Sequence, residues 1–269
     1  MTGMELLTAL IVLSASLFAT MAVSWFVQDR TGHAGWIDVF WTFGVGLIGA
    51  IAAITPPGFA PPHRNLLVAM IAIIWSARLG VHIVRRNLRT ADDPRYAKIR
   101  AEYGAKARSG MFWLTQKQAV VSIPLLLAIY LAAHNPDVRI NWQDIAGLVI
   151  MLVSVTGETI ADMQLRAFQK RPQNKGRICD AGLWRWSRHP NYFFEWLGWL
   201  AYPLIAMEIS GKYEWAWLSL LAPVVMFILL RFVSGVPPLE EHMEKTRGAA
   251  WRAYAARTSI FFPLPVFSA

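Results

Sequence analysis

Leu6–Val27 reads LLTALIVLSASLFATMAVSWFV and contains no charged side chain. A helix needs about 20 mostly apolar residues to cross the hydrocarbon core of a bilayer. Six later stretches are also mostly apolar: Ile37–Ile54, Leu66–Ile83, Ala119–Ala133, Ile145–Ala161, Phe193–Met207 and Trp215–Val233. With 55% hydrophobic residues and 13 Trp in 269 residues, the chain is too apolar for a soluble domain. The sequence predicts an all-α polytopic membrane protein with about seven transmembrane helices.

The basic residues are concentrated in alternate loops. The connections 56–65, 134–144 and 208–214 carry one Lys or Arg each, whereas 84–118 carries nine, 162–192 seven and the tail after Val233 four. Cytoplasmic loops are enriched in Lys and Arg, so this pattern predicts an N-terminus outside and a C-terminus in the cytoplasm. The net charge of +9 is thereby explained without a nucleic-acid partner.

Domain organisation is predicted to be simple. We expect Leu6–Val27 to be a retained helix, because no basic residue precedes it and no small-residue cleavage site follows. No internal repeat, low-complexity tract or long linker interrupts the chain, so residues 1–269 are expected to form one domain. The lone Cys179 excludes a disulfide framework and is interpreted as a structural thiol, and no metal site is expected.

Gly44-Val-Gly46-Leu-Ile-Gly49 has the spacing of a dinucleotide-binding fingerprint, but its position is wrong for that role. The fingerprint works as the turn between a strand and a helix, whereas these glycines lie inside an apolar stretch. We interpret them as sites of close helix packing.

Gly182–Trp199, GLWRWSRHPNYFFEWLGW, places many polar residues at the start of an apolar helix. Polar groups at membrane depth need partners, so this segment is a candidate binding site. Pro190 suits the first helical turn, whose free N–H groups favour an anion. Asn191 and Glu195 are one turn apart and can offer an amide and a carboxylate to one primary carboxamide. An interfacial aromatic belt would explain the Trp and Tyr residues but not Glu195.

Upstream, Glu158, Asp162 and Arg166 share one helix face. They are either hydrogen-bonding groups for a ligand or, in the case of Asp162 and Arg166, an internal ion pair. The following loop is strongly basic and contains Lys170, Arg171, Lys175, Arg177, Arg185 and Arg188. Such a loop favours an anionic ligand.

Two further regions carry candidate residues. The tail 239–263 is amphipathic, and it forms either a helix lying on the membrane surface or a lid in which Glu240, Tyr254 and Arg257 close over a ligand. Asp38 begins the second apolar stretch and is followed by Trp41. Its carboxyl group is a candidate proton or hydrogen-bond donor, and the Trp41 ring suits a flat apolar substrate.

From Glu158 onward the chain resembles the steroid 5α-reductase family, including its bacterial membrane relatives, and is similar to sterol C14-type reductases. The resemblance rests on Asp162-x-x-Leu-Arg166, Gly182-Leu183, Asn191-Tyr192-x-x-Glu195-Trp196, Trp251-x-x-Tyr254 and a terminal Phe-Phe-Pro. It covers more than a third of the chain well, and the first half matches mainly in its pattern of apolar stretches.

The resemblance implies a membrane reductase that binds NADPH in a cofactor-binding half at 158–269. A lipophilic substrate would enter from the bilayer, and a hydride would pass to the β-carbon of an enone such as a Δ4-3-keto steroid. The resemblance implies nicotinamide contacts for Asn191, Tyr192 and Glu195. It implies ribose and phosphate contacts for Asp162, Arg166, Arg177 and Arg188. Tyr254 would close over the cofactor from the C-terminal tail. Our predicted cofactor site also includes Glu158, Lys170, Trp184, His189, Glu240 and Arg257.

The first half departs from the family in its carbonyl-polarising groups. The family uses a Gln-Glu pair near the start of the second helix and a Tyr on the third. Here Gln28-Asp29 resembles the acidic pair, but it lies at the end of the first apolar stretch. Asp38 lies closer to the position of that pair in the family. Trp75 stands where the Tyr is expected. Either the acid and a water polarise the carbonyl, or Tyr192 or another donor replaces the hydroxyl. The catalytic candidates are therefore Asp38, Gln28, Asp29 and Tyr192, with Trp41 and Trp75 as substrate contacts.

A second family shares part of this pattern. Arg188-His-Pro-Asn-Tyr192, Glu240-Glu241 and Gly248-x-x-Trp251-x-x-Tyr254 are also similar to isoprenylcysteine and phospholipid methyltransferases, which bind S-adenosylmethionine. The Asp162 motif and the basic loop favour the reductase, because a sulfonium is itself a cation. A transporter or scaffold would explain the helices but not the polar cluster. We expect a monomer surrounded by lipid in the bacterial inner membrane, with its cofactor site facing the cytoplasm.

Overall fold

The structure is a computed structural model, and it describes residues 1–55, 62–89, 92–137, 139–208, 211 and 213–265. Within these ranges the regular structure is helical, apart from an isolated β-bridge between Ser187 and Ser259. The α-helices are α1 (Gly3–Thr31), α2 (Trp36–Ile54), α3 (Pro62–Asn87), α4 (Pro94–Tyr103), α5 (Ala107–Ala133), α6 (Trp142–Gln169), α7 (Pro190–Trp199), α8 (Ala201–Ala206), α9 (Leu221–Ile228), α10 (Val236–Arg247) and α11 (Ala249–Arg257). The prediction of an all-α polytopic membrane protein is confirmed.

Six helical stretches in the described part of the chain are long and apolar enough to cross a membrane: Gly3–Thr31, Trp36–Ile54, His63–Asn87, Arg95–Ala133, Trp142–Gln169 and Ala216–Arg247. The predicted stretch Phe193–Met207 is instead divided into α7 and α8. Pro203 explains the break, because it has no N–H to donate to the Trp199 carbonyl one turn earlier. The count of seven and the outside N-terminus stay predictions.

The chain folds into two compact units. The first comprises Met1–Leu148 and Tyr202–Ala222, and the second comprises Val149–Ala201 and Pro223–Ala269. The expectation of one domain over residues 1–269, with a cofactor half from residue 158, stays a prediction.

In the first unit, α2 approaches three neighbouring helices through its glycines. A Cβ atom on Gly44 would lie 2.7 Å from a side chain of α1. On Gly46 it would lie 2.1 Å from Ser76 of α3, and on Gly49 2.6 Å from Ile129 of α5. Real Cβ contacts are not this short, so a larger residue would push the helices apart. The interpretation of these glycines as packing sites is confirmed.

A buried ion pair fixes the connection between α5 and α6. Arg64 and Asp144 are both fully buried, with Arg64 Nε 2.8 Å from Asp144 Oδ1 and Nη2 2.9 Å from Oδ2. The guanidinium also donates to the carbonyl groups of Asn135 (3.2 Å) and Arg139 (2.6 Å). Because both charges are paired and hydrogen-bonded, the cost of burying them is largely offset.

In the second unit, the C-terminal tail runs back along the polar segment that precedes α7. The Arg188 N–H donates to the Ser259 carbonyl (2.8 Å), and the Ser187 hydroxyl donates to the Phe261 carbonyl (2.8 Å). The Phe261 ring packs on Phe227, with 5.3 Å between ring centroids. These contacts hold the residues before α7 in one conformation.

Candidate functional site

The second unit contains a cavity of about 400 Å³. Its walls are the end of α6, the loop 174–179, the segment around 184–191, α10 and α11. Small-molecule and cofactor sites in proteins have volumes of roughly 300–1,000 Å³, so this cavity is large enough to hold a ligand.

The amphipathic tail forms one side of the cavity. Leu239, Met243 and Arg247 reach it from α10, and Trp251 and Tyr254 reach it from α11. The two helices are joined by a glycine at residue 248 with a φ of 49°, a conformation that favours glycine. Of the three residues predicted for a lid, Tyr254 lines the cavity, whereas Glu240 and Arg257 do not; the choice between a lid and a surface helix stays a prediction.

The cavity wall is cationic. Four of its described lining residues are Lys or Arg, and none is Asp or Glu. The cations are Lys175, Arg177, Arg188 and Arg247. Positive charges gathered around one cavity repel each other unless an anion is bound, so the wall favours a ligand with several negative charges.

Arg188 is held rigidly. It is 8% exposed, its Nε lies 3.1 Å from Glu240 Oε1, and its Nη1 donates to the Ala255 carbonyl (3.3 Å). The guanidinium carbon lies 5.6 Å from the centre of the Trp251 ring, in a cation–π contact. Burial lowers the pKa of Arg188 from its ordinary value, although an arginine stays protonated in proteins.

His189 contacts the Glu240 carboxylate that also pairs with Arg188. Its Nε2 lies 3.0 Å from Glu240 Oε1, and its ring stacks on that of Tyr192 with 5.5 Å between centroids. Burial lowers the pKa of His189, which favours a neutral imidazole that donates Nε2–H to Glu240. Glu240 therefore acts by orienting two residues of the cavity wall, Arg188 and His189.

Tyr254 and Trp184 connect α11 to α6. The buried Tyr254 hydroxyl donates to the Trp184 carbonyl (2.5 Å), and Trp184 Nε1 donates to the Ala161 carbonyl (2.9 Å). Burial raises the pKa of Tyr254, so the hydroxyl keeps its proton at neutral pH. Both rings line the cavity and offer flat apolar surface to a ligand.

Three of the predicted carboxylates are buried and do not line the cavity. Glu158, Asp162 and Glu195 are each 6% exposed or less. Asn191 lines the cavity, and its amide lies 3.4 Å from Asp162 Oδ1. Glu195 Oε1 accepts from Trp199 Nε1 (3.1 Å). The structure thus places Asn191 against Asp162, while Glu195 contacts the aromatic ring one turn further along α7.

Three predicted cations lie away from the cavity lining. Arg257 donates to Asp180 Oδ2 (2.6 Å) on the surface, Lys170 is exposed, and Arg166 is partly exposed. Of the remaining predicted cofactor residues, Arg177, Trp184, Arg188, His189, Asn191 and Tyr254 line the cavity.

Asp38, in the first unit, lies at the centre of a second polar group. Its Oδ1 accepts from the Tyr96 hydroxyl (2.6 Å), and its Oδ2 accepts from Arg95 (2.7 Å). The Tyr96 hydroxyl in turn accepts from Gln118 Nε2 (2.9 Å). Tyr96 is 5% exposed. A phenol O–H hydrogen-bonded to a carboxylate is a possible proton or hydrogen-bond donor.

The other predicted catalytic and substrate residues have different neighbours. Gln28 Oε1 accepts from Arg100 (3.2 Å), and Asp29 pairs with the exposed Arg108 (3.1 Å). Trp41 and Trp75 meet edge to face, with 6.0 Å between ring centroids. The two rings therefore pack against each other, and Trp75 is almost fully buried.

Arg95, Tyr96, Gln118 and Arg247 belong to these groups but are not among the residues predicted from the sequence. Tyr96 and Gln118 lie in the basic 84–118 segment or at its end, where no pattern connects them to Asp38. Arg247 and Cys179 line the cavity, and burial raises the pKa of the Cys179 thiol, so it stays protonated. Trp251 and Tyr254 are three residues apart, a spacing that places both side chains on the same face of α11 and predicts that they line one wall.

Fold and cavity together define a polytopic α-helical membrane protein with a cationic ligand cavity. Residues 24–258 match the family described as "Protein of unknown function (DUF1295)", which is steroid 5α-reductase-like in general. The chain belongs to this family. The matched range includes Asp38, Tyr96 and the cavity residues.

The chain is also similar to an uncharacterized protein of Schizosaccharomyces pombe. The two are 26% identical over an alignment of 269 positions, which covers 86% of this chain and 76% of the relative. No solved structure gives a significant match.

Proposed function

We propose that the protein is a membrane oxidoreductase that uses NADPH to reduce the C=C bond of an enone lipid, with a Δ4-3-keto steroid as the leading substrate class. The observation that carries the proposal is the cavity wall, which presents Lys175, Arg177, Arg188 and Arg247 and no carboxylate among its described residues. Phosphate groups are the natural partners of such a wall, because arginine binds them through two parallel hydrogen bonds.

The cavity also fits the non-ionic parts of a dinucleotide. Trp184, Trp251 and Tyr254 provide flat surfaces for a base, and Asn191 provides an amide that can donate and accept hydrogen bonds. The alternative cofactor, S-adenosylmethionine, carries a sulfonium cation. The described residues of the wall include four cations and no acid, and they oppose that charge, which supports the reductase over the methyltransferase.

When bound, NADPH would supply the hydride. The chain's own residues would bind and orient it. Arg188, fixed by Glu240, would hold phosphate, and Asn191, fixed by Asp162, would face a polar group of the cofactor. Tyr192 and Glu195 stay in the proposed nicotinamide-binding role that the family resemblance implies.

Asp38 and Tyr96 are the proposed group that polarises the substrate carbonyl, and water or a nearby acid would supply the proton that the α-carbon gains after the β-carbon receives the hydride. The Tyr96 hydroxyl can donate to a carbonyl oxygen as negative charge develops there, and Asp38 can accept the hydrogen bond when no substrate is present. Arg95 Nη2 pairs with Asp38 Oδ2 at 2.7 Å and holds the carboxylate in place. Tyr96 is the proposed donor in place of the hydroxyl missing at Trp75, and Trp41 and the buried Trp75 stay the proposed substrate contacts.

The setting of this proposal is a bacterial inner membrane, with the cofactor cavity on the cytoplasmic side. The substrate would be a lipophilic small molecule that reaches the protein from the surrounding lipid, and the protein would act as a monomer. These points rest on the charge of the loops and on the family resemblance.

An isotope experiment tests the reaction. The purified full chain in lipid nanodiscs is given a Δ4-3-keto steroid and NADPH that carries deuterium at the transferable position of nicotinamide C4. We expect a reduced steroid that contains one deuterium at the former β-carbon, as seen by mass spectrometry. A parallel reaction contains methyl-labelled S-adenosylmethionine with a prenylcysteine or a phospholipid. Label transfer there, without oxidation of NADPH in the first reaction, would contradict the proposal.

A further inference from the structure

Arg247 has an unusual position among the cations of the cavity. It is the last residue of α10 and lines the cavity. Its Nε atom is buried and has no hydrogen-bond partner among the described residues. Its Nη1 reaches only the carbonyl of the preceding residue, at 3.3 Å. A buried donor without a partner costs about 1–3 kcal/mol, which binding of an anion would recover.

Arg188, whose Nε is likewise buried without a hydrogen-bond partner among the described residues, differs in having an acidic neighbour. Arg188 contacts Glu240 and the Ala255 carbonyl, so part of its charge is balanced within the protein. Arg247 has no acidic neighbour among the residues that line the cavity. Arg247 therefore lines the cavity with a buried donor that the described residues leave unpaired.

The charge of the wall exceeds what a simple diphosphate would balance. Four cations line the cavity and one of them, Arg188, is paired with Glu240, which leaves about three positive charges. A dinucleotide diphosphate carries about two negative charges, and a phosphate monoester adds about 1.5 to 2 more at neutral pH. A ligand with both groups matches this wall better than one with the diphosphate alone.

We infer that Arg247 binds the 2′-phosphate of the cofactor and is the residue that selects NADPH over NADH. The guanidinium fork forms two parallel hydrogen bonds with a phosphate monoester, and its partly buried position strengthens them. This inference rests on the proposed function, because it assumes that a nicotinamide dinucleotide occupies the cavity.

Equilibrium binding to the purified full chain tests the assignment. NADPH and NADH are titrated separately, and their fluorescence on excitation of nearby tryptophans gives each Kd. Arg247→Gln should weaken NADPH binding by about 10- to 100-fold, the loss expected for hydrogen bonds to a charged group, and should change NADH binding by less than about twofold. Arg247→Lys keeps the charge without the fork and should show an intermediate loss.

Arg252→Gln is the matched control. Arg252 lies on α11, pairs with the exposed Glu244 and does not line the cavity, so its replacement should leave both Kd values unchanged. Competition separates two sources of phosphate. The nucleotide 2′,5′-ADP should displace NADPH far better than 5′-ADP or inorganic phosphate from the wild type, and this advantage should disappear in Arg247→Gln.

The outcomes distinguish this inference from the proposed function. Equal loss of NADPH and NADH in Arg247→Gln, or displacement by inorganic phosphate as effective as by 2′,5′-ADP, would overturn the role of Arg247 alone. If the wild type binds neither dinucleotide, the proposed function and this inference fall together. Selective loss of NADPH binding, with the Arg252→Gln control unchanged, supports both.

Discussion

Tyr96→Phe removes one hydroxyl and leaves the aromatic ring in place. That hydroxyl donates to Asp38 Oδ1 at 2.6 Å and accepts from Gln118 Nε2 at 2.9 Å. Asp38 keeps its ion pair with Arg95 (2.7 Å), so the substitution does not leave an unpaired charge. We therefore expect a loss of about 1.5–3 kcal/mol in the free energy of unfolding, the contribution of a hydrogen bond to a charged group.

The expected effect on catalysis is larger than the effect on stability. If Tyr96 polarises the substrate carbonyl, its loss should lower kcat by about 10²- to 10³-fold, or about 2.7–4 kcal/mol, as for one donor of an oxyanion hole. The KM for NADPH should stay the same, because Tyr96 has no proposed contact with the cofactor.

The assay is steady-state NADPH oxidation with a Δ4-3-keto steroid, together with thermal unfolding of each variant. Tyr103→Phe is the matched control on the same helix, α4, and should leave kcat unchanged. A Tyr96→Phe protein that is less stable but turns over within about twofold of wild type would refute the catalytic role, and Tyr96 would then be a structural partner of Asp38.

The remaining predictions concern the second unit. Glu195→Ala should abolish NADPH-dependent reduction in a folded protein, whereas Glu195→Gln keeps an acceptor for Trp199 and should retain the fold; undiminished turnover in both would remove Glu195 from the site. Asp162→Ala should mainly raise the KM for the cofactor, because Asn191 loses a partner, and an unchanged KM would leave Asp162 a structural role. Burial lowers the pKa of His189, so the unfolded chain binds its proton more readily, and stability is complete above about pH 6.5 and falls as pH drops through the lower folded-state pKa. His189→Gln should therefore flatten the acid side of the plot of Tm against pH, and an identical slope in the variant would contradict this account.

Much of the fold could be predicted because it depends on local patterns. Apolar length predicts α1 to α3 and α6, and the spacing of Gly44, Gly46 and Gly49 predicts the close contacts of α2. The break between α7 and α8 is also local, since Pro203 removes one helical hydrogen bond. The apolar composition of Phe193–Met207 predicts one continuous membrane-spanning helix, and this prediction did not take the effect of Pro203 into account.

The cavity could be predicted only in part. Trp184, Arg188 and Asn191 lie in one polar segment, and the sequence marks that segment by its position before an apolar helix. Arg247 ends α10, and it shares the cavity with Trp251 and Tyr254 of α11, whose direction against α10 is set by the turn at Gly248. No spacing rule gives that direction.

The Asp38 group shows a second limit. Tyr96 is 58 residues from Asp38 in the chain. It lies in the basic segment 84–118, whose charge predicts only a cytoplasmic loop. The short helix α4 brings the hydroxyl to the carboxylate. A tertiary contact of this kind leaves no periodic signal in one sequence, so the sequence left the donor open between the acid with a water, Tyr192 and another residue.

Cofactor selectivity is the central claim, and direct titration of the purified full chain tests it. NADPH and S-adenosylmethionine are each added to the protein in nanodiscs, and bound ligand is measured by calorimetry. The cationic cavity predicts saturable binding of NADPH that excess S-adenosylmethionine does not displace. Saturable binding of S-adenosylmethionine, with no heat from NADPH, would contradict the account.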